Sequence, residues 1–376
     1  MSPVPAAGAL VAESRTGLDG LASLRGEWED LARDSPGHTV STSYPSYDAL
    51  LRFRHPEPAR IHFFCVREAS GRLAAICPLE LTRTRIRRLH FTCWASPPDP
   101  DRPCSSFLFD QVSDPRAVGA ALSTSLKRIA PRARLVFMER VLRDGATMSA
   151  LRGIARHWHV DPGPGLNVLT TGRSGDELLE HVSSKFRRNI RWGMRRVRRL
   201  GALDYHVVSQ PNGMAAEISE FLRLEAEGWK GHTAHGRALA RRDGVERHAR
   251  ALVDGFAGES ACELHGLWLS GRCIAALLCF RAGRELFAFK IARDERFKPY
   301  SLGHLLVFRV LSSLAKRPEI HVVNFGWEAS WLKPWGVDQV PLSDVHVGLG
   351  GFSSRLATWM LSLPDHTRLS GMTRTG

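Results

Sequence analysis

One succession of elements occurs twice in this chain, and it limits the fold more than any other feature of the sequence. IHFFCVREASGRLAAICPLEL (61–81) reads as two β-rich runs around a Ser-Gly turn. RLHFTCW (88–94) reads as a third run, PRAVGAALSTSLKRIA (115–130) as a helix and RLVFMERV (134–141) as a fourth strand. The order returns later: ELHGLWLSGRCIAALLCFRAGRELFAFKIARDE (263–295) supplies three strands, YSLGHLLVFRVLSSLAKR (300–317) a helix, and IHVVNFG (320–326) the closing strand. The two copies agree in order of elements, not in letters. Two helical segments, SEFLRLEAEGWKG (219–231) and RRDGVERHARALVDGFAG (241–258), precede the second copy, as a mixed sheet covered by helices on both faces requires. The expected fold is therefore α/β, with tandem domains of one kind over 1–160 and 161–350, a tail over 351–376, and the join near the Pro- and Gly-rich DPGPGLN (161–167).

With 376 residues, 43% of them hydrophobic, two domains of ordinary size can each bury a core. No run approaches the roughly 18 to 20 apolar residues that span a bilayer, and the start lacks a cationic stretch before its short apolar run, so a cytoplasmic protein is expected. Seven cysteines without a CxxC pair or a His/Cys cluster point to reduced core residues and to no metal.

The net charge of +14 implies anionic partners, and it is unevenly spread. SSKFRRNIRWGMRRVRRL (183–200) holds eight Lys and Arg residues and no acid. Phe186, Ile190, Met194 and Val197 recur there at helical spacing and should pack inward. Arg188, Arg191, Arg195 and Arg199 then line another face, which is a solvated surface, a contact for the phosphates of a small donor, or a track for a nucleic-acid backbone such as tRNA.

At KPYSLGHLL (298–306) a strand run ends and an apolar helix begins. Ser301 is an available N-cap, and Gly303 admits close approach of a ligand to the first-turn amides, where the helix dipole favours phosphate. An ordinary capped turn would read the same way.

Lys298, Ser301 and Gly303 occupy the places of the pyrophosphate-loop pattern Gln/Arg-x-x-Gly-x-Gly/Ala of the GNAT acyltransferases, whose core has this same element order. LEAEGWKG (224–231), KIARDERFKPYSLGHLL (290–306) and WLKPWG (331–336) resemble the CelD-type branch of that superfamily, associated with cellulose and exopolysaccharide biosynthesis. That branch is similar in turn to the Fem-type tandem-GNAT aminoacyltransferases. Arg293 stands where the branch usually has Tyr, and Leu302 where it has Pro.

The resemblance implies an N-acyltransferase that moves an acyl group from acyl-CoA to the amine of a small molecule, sugar or peptide, without a metal. An aminoacyl-tRNA-dependent transferase and a non-catalytic basic binding protein are the alternatives. It places Glu225 as the base, with Glu328 as another candidate and Lys290 facing the ligand or an acid such as Asp294. Lys298, Tyr300, Ser301, Gly303 and His304 would hold the donor, and Glu227, Trp229, Lys230, Asp294 and Trp331 the acceptor. Of the two copies, only the second has a glycine in its strand-to-helix turn; the first has SPPDPDRPCSS (96–106) and is expected to be a scaffold or acceptor platform.

Overall fold

The computed structural model describes residues 10–228, 238–242, 244–327 and 329–363. They divide into two compact units: 10–51 with 55–165 and 341–363, and 52–54 with 166–340.

The first unit runs β1 (Val11–Thr16), α1 (Gly17–Ser23), α2 (Arg25–Asp34), α3 (Tyr44–Phe53), β2 (Ile61–Arg67), β3 (Leu73–Ile86), β4 (Leu89–Ala95), β5 (Leu108–Phe109), α4 (Pro115–Ile129), β6 (Leu135–Leu142) and α5 (Ala146–Ile154). Strands β2, β3 and β4 form an antiparallel meander. Helix α4 starts with Pro115, whose fixed φ suits a first turn, after Asp114, whose carboxylate accepts from the Arg116 amide. It packs Val118, Leu122 and Leu126 on Phe64, Trp94 and Val136 and returns the chain to β6, parallel to β4.

Past the parallel pairs, the stretch after β4 is stitched to the end of β6. Ser96 N donates to Phe137 O, Ser105 N to Arg140 O, and the Arg140 guanidinium to the carbonyls of Asp99 and Arg102. Arg102 is itself buried and donates to the Tyr47 hydroxyl. The chain's own 96–106 loop thus occupies the ground beyond the β4/β6 ladder.

Strand β7 (Trp158–Thr170) leads into the second unit, which runs α6 (Gly175–His181), α7 (Ser184–Arg198), β8 (Leu203–Val208), α8 (Pro211–Glu227), α9 (Val245–Gly258), β9 (Cys262–Leu269), β10 (Arg272–Ala282), β11 (Glu285–Arg293), α10 (Leu302–Leu314) and β12 (Val322–Asn324). Again three antiparallel strands, β9, β10 and β11, precede a helix and a strand parallel to the third. Ser270 and Gly271, both at positive φ, make the tight turn between β9 and β10. Helices α6, α7 and α10 share one core with the sheet, built on Phe186, Ile190, Val197, Leu305, Val310 and Leu314.

Two boundaries differ from the sequence expectation. DPGPGLN is not a loop but part of β7, and Gly163 is there because a Cβ would sit 3.3 Å from the Leu342 carbonyl. Residues 341–350 and the described part of the expected tail, 351–363, belong with the first unit. Strand β13 (Asp338–Gly348) pairs antiparallel with β6 from Leu342↔Leu142 to Gly348↔Leu135, and α11 (Phe352–Ser362) buries Ala357 against Phe91 and Phe137.

Candidate active site

The ladder between β11 and β12 is short. It runs from Glu285↔Val322 to Phe287↔Asn324 and stops, although β11 continues to Arg293. Against β10, the register steps from Leu278↔Lys290 to Cys279↔Ala288, leaving Phe289 as an extra residue. Such a bulge bends its strand. It falls next to the last parallel pair, so β11 is deflected where it leaves β12.

Beyond that point lies a cavity of about 260 Å³, lined by Leu224 and Glu225 of α8 and Gly228 just after it, Ile291, Ala292 and Arg293 of β11, Gly303 of α10, and Trp331. The Glu225 residue is only 2% exposed, and its Oε2 accepts from the Leu239 amide at 2.9 Å. Glu227, two positions on, lies on another face and pairs in solvent with Arg223.

Gly303 closes the floor. A Cβ there would find Ile291 and Trp331 at 3.7 and 3.8 Å, ordinary contact distances, so the missing side chain leaves room in the cavity and relieves no clash. Ser301 adopts left-handed backbone (φ 55°, ψ 43°) and makes no side-chain cap. The expected hydroxyl cap is thus absent; the Ser301 carbonyl instead accepts from the amides of His304 and Leu305. A non-glycine residue in this region costs about 1 kcal/mol or more, strain of a kind that concentrates at functional sites. The amides of Leu302 and Gly303 precede the first bonded turn.

His304 is half-buried. Trp335 Nε1 donates to its Nδ1 at 3.2 Å, and Phe186 and Trp331 pack on the ring. Burial, then the positive charge of Arg293, push its pKa below the usual histidine value, so the ring stays neutral near pH 7 with its proton on Nε2. Arg293 pairs with Glu295, beside the cavity it lines.

Other expected site residues lie elsewhere. Asp294 caps the short helical turn Glu295–Tyr300 and is held by Arg296, with Arg272 nearby; the Arg296 hydrogen bonds, before any other cause, lower its pKa below the ordinary aspartate value. Lys290 is half-buried with its ammonium 5.1 Å from the Phe289 ring centre. Lys298 and Tyr300 lie on that same turn, and the Tyr300 ring stacks with the Arg196 guanidinium. Arg188, Arg191, Arg195 and Arg199 are exposed on or at the end of α7, whose buried stripe is Phe186, Ile190, Met194 and Val197 as expected. Trp229, Lys230 and Glu328 lie outside the described residues.

The sequence reading missed a polar chain behind the site. Asn324, the last residue of β12, donates to Glu285 Oε2 at 2.9 Å, while its own Oδ1 accepts from Gly326 N. Asn167 donates to the Gly326 carbonyl from both its amide and its side chain, and Gln339 donates to Asn167 Oδ1. These bonds fix where β12 ends, and with it one edge of the opening beside β11. Glu285 Oε1 is enclosed without a partner among the described residues, and burial, only partly opposed by Asn324, pushes this carboxyl up to about 7. A carboxyl raised by folding contributes stability that is complete below about 4.5 and is lost as pH rises to about 7. Melting temperature followed from pH 5 to pH 8 should therefore fall by the equivalent of roughly 1 to 3 kcal/mol more in the wild type than in Glu285→Gln. Parallel pH profiles would count against a protonated Glu285.

Residues 184–333 match the family model described as an acetyltransferase (GNAT) domain, which spans the basic helix, the cavity and Trp331. Among solved structures the chain is similar to FemX, at 12% identity over 85% of this chain and 95% of that one, with a TM-score of 0.55. It is likewise similar to L-PGS from Bacillus licheniformis, at 12% identity over 90% of this chain and 97% of that one, with a TM-score of 0.50. A tandem GNAT protein from the clavulanic acid pathway aligns at 13% identity over 91% and 99% of the two chains, with a TM-score of 0.46. No curated protein matches the sequence. At such identities the structural likeness is one of fold. The fold is the tandem GNAT-like α/β arrangement with mixed sheets flanked by helices, and the family match in its second unit supports an acyltransferase.

Proposed function

We propose that the second unit moves an acyl group from acyl-CoA to the amine of a small molecule, sugar or peptide, by direct attack with both substrates bound. One observation carries this reading: the cavity joins the buried Glu225 carboxylate, the glycine at the mouth of α10, and the end of β11 beyond its parallel ladder.

Acyl transfer to an amine needs a neutral nucleophile, a donor held beside it, and a hydrogen bond for the carbonyl oxygen as it gains charge. Glu225 takes the amine proton. The unladdered backbone of β11 between Ala288 and Ala292 receives the donor arm and supplies the oxyanion bond, with Lys290 beside it. The donor phosphates sit at the first-turn amides of α10 with Lys298, Tyr300, Ser301 and His304 around them. Trp331 belongs to the acceptor side, and an exopolysaccharide sugar amine of the CelD-type kind is the acceptor class proposed; Glu227, held by Arg223 in solvent, takes no part. Glu328 is the reserve base. Asp294 acts there indirectly, by holding the turn that carries Lys298 and Tyr300. The first unit, with its own loop over the corresponding ground, is a scaffold.

Thermal stabilisation by CoA and release of free thiol in the presence of an amine mixture test the reaction. Gly303→Val tests the donor site: its Cβ fits, but its methyl groups enter the cavity, so donor affinity should fall by roughly tenfold, about 1.4 kcal/mol, at unchanged melting temperature. Unchanged affinity in a folded variant would remove the α10 mouth from the donor site.

Aminoacyl-tRNA-dependent transfer is the second reading, favoured by the exposed arginines of α7. It requires activity that RNase abolishes and affinity that falls steeply with salt.

A further inference from the structure

The basic helix has a feature that the proposed reaction does not use. Trp192 lies on the solvent side of α7 and is 43% exposed. The Arg196 guanidinium lies 4.5 Å from its ring centre and 5.1 Å from that of Tyr300. Arg196 therefore lies within cation–π reach of two aromatic rings, and among the described residues it has no acidic partner. Its N–H edge is left to meet an anion in a fixed orientation. Exposed Arg188, Arg195 and Arg199 continue the same stripe, two turns and then one turn apart, also without acids among the described residues.

The ladder is tied to the donor mouth. Gly193, the residue after Trp192, faces the Tyr300 carbonyl so closely that a Cβ there would come within 2.9 Å of it. Tyr300 is followed directly by Ser301 and the first turn of α10. Helix α7 is thus seated against the loop that opens the phosphate site, and its Trp-Arg pair continues outward from that loop.

We infer that Trp192 and Arg196 form the receiving surface for the adenosine 3′-phosphate end of the coenzyme A donor, the adenine stacking on the open face of Trp192 and the phosphate meeting the edge of Arg196. This rests on the acyl-CoA reading above. A purine offers a flat face to an indole, and a phosphate offers two oxygens to a guanidinium edge. The charge of the stripe matches, and the order along the surface, from α10 amides to Tyr300, Arg196 and Trp192, follows a donor laid from its pyrophosphate outward.

The test is calorimetric titration of the full chain with CoA and with 3′-dephospho-CoA. Wild type should bind CoA several-fold more tightly than the dephospho form. Trp192→Ala and Arg196→Gln should each weaken CoA by about tenfold. Trp192→Phe should keep most of the affinity, and Arg196→Gln should erase the preference for the 3′-phosphate. Both side chains are on the surface, so unchanged melting temperatures confirm folded variants. CoA binding that survives both substitutions unaltered would overturn this assignment while leaving the acyl-CoA reading in place. A wild-type protein that takes up no CoA but binds an RNA hairpin with salt-dependent affinity would overturn both.

Discussion

Glu225→Gln should lower turnover by about 10²- to 10⁴-fold and leave donor affinity nearly unchanged, the loss typical of a missing general base. The substitution is isosteric and retains an oxygen for the Leu239 amide, so the cavity wall should hold its shape. What disappears is the capacity to take a proton from the attacking amine. Glu225→Ala provides the contrast, because it also strands a buried amide and should cost about 1 to 3 kcal/mol of stability besides activity. Single-turnover rates with saturating donor, read beside melting curves, separate the two effects. Near-normal turnover in Glu225→Gln would move the proton to Glu328 or to water.

The repeated strand, strand, strand, helix, strand order was legible because each part is encoded locally. The meander strands are apolar runs of the right length broken at Ser-Gly and Ala-Gly, and the helices show their apolar stripes at helical spacing. The stripe Phe186, Ile190, Met194 and Val197 needed nothing beyond periodicity, and all four are buried. Strand β13 was not legible. Its letters, DQVPLSDVHVG, contain a proline and end on a glycine, and what makes them a strand is β6, some two hundred residues earlier in the chain. Propensity carries no record of such a partner.

The site divides in the same way. Glu225, Gly303 and Trp331 came from short motifs, and the structure brings all three to one cavity. Asp294 looked available to Lys290 because the two lie four residues apart near the end of one strand, but Arg296 is nearer along the chain and holds it. Glu285 carried no signal at all. In RAGRELF it reads as the exposed start of a strand, and its enclosure follows from β12 settling beside it with Asn324 in register. Ser301 shows a third case: the position was foreseen and its chemistry was not, since a left-handed residue turns its hydroxyl away from the cap.

Arg317→Met should cost about 3 kcal/mol of stability, although Arg317 is not among the residues that line the cavity. Its guanidinium forms two 2.8 Å bonds to Glu263, whose side chain is 5% exposed on β9. His265 Nε2 donates to the same carboxylate at 3.1 Å, and its Nδ1 lies 2.7 Å from the Tyr205 hydroxyl. Burial alone would raise Glu263, but the bonds from His265 and Arg317 outweigh it and hold the carboxyl at about 2. Removing the arginine leaves a buried charge with one donor in place of three, which is the costly kind of change. Replacing both partners, Glu263→Met with Arg317→Met, removes the charge together with its counter-ion and should restore much of the loss. The depressed carboxyl also sets a direction with pH. Its contribution is complete above about 4.5 and is lost as pH falls towards 2, so acid should destabilise the wild type more steeply than the double variant. Denaturant midpoints of the four proteins of this cycle, taken at pH 7 and pH 3, decide the matter. A single variant as stable as the wild type at pH 7 would mean that water reaches Glu263 and that the network does not hold β9 to the end of α10.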